Sequence, residues 1–199
     1  MKSGWKHLLL AACAAAALLQ SHAQEAAPRN PGSDATLLAK ASAGDAAAQV
    51  QVGDSFAEGN GQERSPKRLA ADCKLAAEWY RKAAELGYLD GQLKLAALYR
   101  DGKGVPRDMA AAASWYRKAA DQGDAGAQGT LGLLYAFGQG VPHNDVEAYF
   151  WLDLAAAVKG PNQEKYAANR QMVGTRITAD ELAEVQERVE NWKAAHPRT

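Results

Sequence analysis

Residues 87–122 read GYLDGQLKLAALYRDGKGVPRDMAAAASWYRKAADQ, and residues 123–158 read GDAGAQGTLGLLYAFGQGVPHNDVEAYFWLDLAAAV. Aligned, the two stretches share Gly87/Gly123, Gln92/Gln128, Leu95/Leu131, Leu98/Leu134, Tyr99/Tyr135, Gly102/Gly138, Gly104/Gly140, Val105/Val141, Pro106/Pro142, Ala112/Ala148, Trp115/Trp151, Ala119/Ala155 and Ala120/Ala156. Self-similarity at a period of about 36 residues is the mark of stacked helical units, each of which buries its apolar face on its neighbours. Within a unit, Gln92, Leu95, Leu98 and Tyr99 fall on one face of a first helix. Gly102 and Gly104 end that helix and Pro106 fixes the loop that follows. Asp108 and Asn144 stand where a short polar side chain caps a second helix. In that second helix the spacing assigns Ala112, Trp115 and Ala119 to the inner stripe, with the tryptophan filling the core.

Working outward, the same pattern appears upstream. Gln49, Val52, Phe56 and Gly59 align with Gln92, Leu95, Tyr99 and Gly102, and Trp79 to Ala84 repeats Trp115 to Ala120 letter for letter. This unit is seven residues longer, and the surplus lies in GNGQERSPKRLAADCK (59–74), a surface loop on this reading and a second candidate for partner binding. The organisation is therefore repeat 1 at 44–86, repeat 2 at 87–122 and repeat 3 at 123–158. Residues 34–43 have the register of a second helix and read as an N-terminal cap, and residues 159–199 as C-terminal capping helices. There Thr178 and Glu181 form a capping box, and Leu182, Val185, Val189 and Trp192 mark an apolar face expected to cover the end of the array.

Residues 1–23 combine Lys2 and Lys6 with the apolar run LLLAACAAAALL and a polar, small-residue finish, the pattern of a secretory signal peptide cut after Ala23. The run falls short of the roughly 20 apolar residues of a spanning helix. Export to the periplasm follows; the alternative is a lipoprotein anchored at Cys13, in the box Leu10-Ala11-Ala12-Cys13. Residues 24–33, QEAAPRNPGS, read as a flexible linker. The whole chain holds 23 basic and 23 acidic side chains; taking away Lys2 and Lys6 leaves 21 against 23, about −2, with no basic stripe for nucleic acid. Cys73 alone remains after cleavage and reads as a half-buried structural thiol.

The repeated residues, quoted once more as AGAQGTLGLLYAFGQGVPHNDVEAYFWLDLAAA, resemble the Sel-one-like repeat family, a longer relative of the tetratricopeptide repeat, over residues 41–158. The resemblance implies an all-α fold, antiparallel helix pairs stacked into a right-handed superhelical solenoid, and work as a scaffold or adaptor for proteins. Cysteine-rich members are associated with β-lactamase-like activity, so a cell-wall or small-ligand binding enzyme is the alternative function. This chain lacks a cysteine pair in each repeat and any S-x-x-K. His143 and His196 have no second ligand at i+3 or i+4, and no catalytic residue, metal site or cofactor is expected. The expected partner is a protein or peptide on the concave face of a monomer, with no nucleic acid and no stable membrane span. With the core positions of the first helices assigned, the free stripe at i, i+3, i+7 is Gln51, Asp54 and Glu58, then Lys94, Ala97 and Asp101, then Thr130, Leu133 and Phe137.

Overall fold

The computed structural model describes residues 35–58 and 65–197. The leader, the linker, Cys13 and residues 59–64 of the insertion lie outside them. The described residues form only helices: α1 Ala35–Ser42, α2 Ala46–Glu58, α3 Pro66–Glu85, α4 Leu89–Asp101, α5 Met109–Asp121, α6 Ala125–Phe137, α7 Asp145–Ala156, α8 Gln163–Gly174 and α9 Ala179–Ala195. From α1 to α8 each helix packs on the next, which makes an all-α repeat solenoid. Helix α2 also touches α4, and α6 touches α8, whereas α3, α5 and α7 make no comparable contact with one another. The first helices α2 and α4 therefore meet directly, beside the helices that separate them in the chain.

The core is built from the repeated positions. Val52, Leu95 and Leu131 are fully buried, each contributing roughly 1.5–3 kcal/mol by leaving water. Gln49, Gln92 and Gln128 are buried too, and each donates from Nε2 to the carbonyl eight residues earlier, Ala41, Ala84 and Ala120, at 3.0, 3.5 and 3.2 Å. Those carbonyls sit at the end of the preceding helix, where hydrogen-bond acceptors are in surplus. The glutamine thus locks each first helix to the unit before it. Gly104 and Gly140, both at positive φ, lie so close to the previous unit's second helix that a β-carbon would strike the carbonyls of the equivalent residues Cys73 and Met109. Those glycines are a close-packing requirement as well as a turn requirement.

Asp108 caps α5 by accepting from Ala110 and Ala111 N, and Asn144 caps α7 by accepting from Glu147 N. Two expectations need correction. The residue that enters the core of the second helix is the tyrosine, not the tryptophan: Tyr80 and Tyr116 are buried, while Trp79 and Trp115 stand half-buried at the margin under Lys82 and Lys118, 3.9 and 3.8 Å above their rings. Alanines on both sides of the Trp-Tyr pair satisfy either stripe, so spacing did not choose between them. Only in α7 is the tryptophan, Trp151, fully inside. The insertion, second, is a loop only in part. Ser65 accepts from Arg68 N and Pro66 stands at the first helical position, so α3 runs 20 residues against 13 for α5. Ser-Pro is a helix start, and the surplus becomes two added helical turns. Cys73, the counterpart of Met109, follows directly on these turns, half-buried and free.

Successive units are joined by a side-chain pair. Arg81 donates to Tyr99 Oη (2.8 Å) and Arg117 to Tyr135 Oη (3.4 Å). After repeat 3 the pair changes character: Asp153 stands where the arginine was and receives Arg170 from α8 at 2.6 Å. Helix α9 does not pair with α8 as a second helix would; it lies against α7. Val185 and Val189 are buried there, with Leu182 and Trp192 packed beside them.

Candidate functional site

The stripe read from the sequence runs along the first helices α2, α4 and α6. Gln51 and Glu58 are exposed on α2, and Asp54 between them is half-buried. Asp54 accepts a hydrogen bond from Tyr80 Oη at 2.7 Å and an ion pair from Lys94 Nζ of α4 at 2.9 Å. Lys94 also lies 3.9 Å from Asp90 and 5.8 Å above the Tyr80 ring. Burial, the hydrogen bond to Asp54 and the charges of Asp54, Glu58 and Asp90 push the Tyr80 phenol far up, so it remains a neutral donor. Burial lowers Lys94, but the same three carboxylates outweigh it and hold the ammonium charged. The structure thus brings Gln51, Asp54 and Glu58 of one unit onto the same face as Lys94 of the next.

One turn further along α4, Ala97 is half-buried, and Asp101 is held by Arg100 at 2.7 Å, which draws its carboxyl below the usual range. Arg100 continues to Tyr116 Oη at 3.2 Å, and Lys103 stands 3.7 Å from Asp101. On α6 the Thr130 hydroxyl is spent on its own helix, donating to Gly126 O at 2.8 Å. Leu133 packs half-buried on the core, and Phe137 is 59% exposed. Helix α6, AGAQGTLGLLYAF, contains no charged residue.

The sequence reading missed Tyr80, Tyr116, Asp90 and Arg100, which complete this face. The two tyrosines reach it from the second helices, between the first. A clue was present: where repeats 1 and 2 have Tyr80 and Tyr116, repeat 3 has Leu152, and the polar stripe positions become Thr130, Leu133 and Phe137 with it. Among the described residues no group of three or more His, Cys, Asp or Glu is placed to hold a metal, and no helix is long and apolar enough to cross a membrane.

A solenoid of short helix pairs, with buried glutamines at the joints and glycine-bearing loops folded on the previous unit, defines a helical repeat protein. The family model of the Sel1 repeat matches residues 46–88, 89–124 and 125–157, and the chain belongs to that family. Among solved structures it is similar to a Sel1 repeat protein from Oxalobacter formigenes, with a TM-score of 0.59 and 33% identity over 69% of this chain and 53% of that one. It is also similar to c5321, a protective antigen present in uropathogenic Escherichia coli strains and displaying an SLR fold, with a TM-score of 0.56 and 26% identity over 79% of this chain. The match spans 40% of that antigen's length. No curated protein sequence matches the chain.

Proposed function

We propose that this protein is an exported scaffold, without catalysis of its own, that holds a segment of a protein partner along the inner face of its first helices. The observation that carries this reading is Phe137, a 59% exposed aromatic beside Leu133 on the one first helix of the three repeats that has no charge. An apolar anchor at a groove rimmed by polar groups is where binding energy concentrates in an interface. The lysine-headed, alanine-rich first 23 residues support delivery to the periplasm.

Two measurements test it. Cell fractionation should find the mature chain, begun at Gln24, in the periplasm. Pull-down from periplasmic extract with wild type and with Leu133→Asp/Phe137→Asp should capture partners only with the former. A folded double variant that captures the same proteins at the same yield removes this face from consideration.

A further inference from the structure

Resting on that reading, we infer that the segment bound on the inner face is an extended peptide carrying an apolar anchor at one end and basic residues toward the other. The inner face has two unlike halves. On α6 it offers Leu133 and Phe137 and no charge. On α2 and α4 it offers the carboxylates Asp54, Glu58 and Asp90 around the cation Lys94, while Asp101 at the end of α4 lies between Arg100 and Lys103. Two of these carboxylates are closed in pairs, Asp54 with Lys94 at 2.9 Å and Asp101 with Arg100 at 2.7 Å. Asp90 has only a 3.9 Å share of Lys94 and a half-exposed side chain, and Glu58 makes no ion pair among the described residues.

Three carboxylates therefore share one lysine, an excess of two negative charges at this end of the face among the described residues. Asp54, Glu58 and Asp90 all raise the Tyr80 phenol, whose hydroxyl donates to Asp54 at 2.7 Å. Asp54 is fixed from two sides by Tyr80 and Lys94, so this negative end is built before any partner arrives. An acidic peptide, a nucleic acid or an anionic lipid would be repelled from it; Lys or Arg would be drawn in. The order follows from the helices: the apolar anchor belongs on α6 and the basic residues on the side of α4 and α2.

The test uses three fluorescein-labelled ten-residue peptides with a Phe-Leu pair at one end and, at the other, two Lys, two Ser or two Glu, each made in both chain directions. Fluorescence anisotropy with the full mature chain should rank Lys over Ser over Glu, with Lys about tenfold tighter than Ser at low salt. Molar salt should erase the difference. Glu58→Gln/Asp90→Asn, two surface changes, should bring the Lys peptide down to the Ser peptide's affinity and leave the latter unchanged. Equal affinities for all three, or a lysine advantage that survives in that variant, overturns the charge assignment. The scaffold reading then stands if Phe137→Ser still weakens every peptide. If no peptide binds, or Phe137→Ser changes nothing, the face is not a binding site and both proposals fall together.

Discussion

Helices α5 and α7 occupy equivalent places in successive repeats, yet one is wet on its outer side and the other is dry. Ser114 and Lys118 of α5 are exposed; their counterparts in α7 are Phe150 and Leu154, both buried. A helix whose outer side is apolar must be covered there as well, and α7 is covered by α6, α8 and α9. Val185 and Val189 supply the apolar cover, and the acids of α7 hold the covering segments by charge. Arg188 reaches Glu147 at 2.6 Å and lies over the Phe150 ring, Arg176 reaches Asp145 at 2.6 Å, and Lys193 stands 3.5 Å from Asp153. Two side chains, then, decide whether a unit continues the array or ends it.

The largest effect that would sharpen this contrast is removal of α9. Ending the chain at Ile177 uncovers Phe150 and Leu154 and loses two fully buried valines, about 3–6 kcal/mol from those two side chains alone. Size-exclusion chromatography should show association of the truncated chain and a thermal scan a clear drop. Adding Phe150→Ser/Leu154→Lys, which rewrites α7 in the manner of α5, should return it to a soluble monomer. Failure of that rescue would mean α9 does more than shield these two residues.

Next in size is the tryptophan of each helix. Trp151→Ala should cost about 3–5 kcal/mol through an unfilled cavity, whereas Trp115→Ala, at the margin, should cost roughly half of that. Urea midpoints decide it, and equal losses would break the distinction between the two helices. The smallest effect concerns the start of α9. Glu181 accepts from Thr178 N and Oγ1 at 2.8 and 2.9 Å, and these bonds hold its carboxyl below the usual range. A depressed carboxyl stabilises the fold above its unfolded value, about 4.3, and loses that as pH falls through the folded value. The thermal midpoints of wild type and Glu181→Gln should therefore differ near neutrality and converge toward about pH 3.

The repeats, their punctuation and the caps Asp108, Asn144 and Thr178 were readable because each depends on residues a few positions apart. The apolar face of α9 was readable for the same reason, but its seat was not. Sequence alone put it at the end of the array, and it lies along the side of α7. The clue was in the partner: Phe150 and Leu154 break the outward pattern set by Ser114 and Lys118. On the inner face the positions were legible and the pairings were not. Asp54 meets Tyr80 and Lys94 across 26 and 40 residues of chain, and no local period reports such contacts.

The joints between units are also keys. An arginine on one side and a tyrosine on the other recur at the first two junctions, so a duplicated copy of repeat 2 could be spliced between repeats 1 and 3 with every joint matched. The same copy placed after repeat 3 would meet Asp153 in place of an arginine, and Asp153 would lose Arg170 and Lys193, the cations that now hold it, and keep at most a tyrosine hydroxyl as donor. Growth of the array by duplication is thereby favoured in its interior over its end, where Asp153 departs from the repeat together with Phe150 and Leu154.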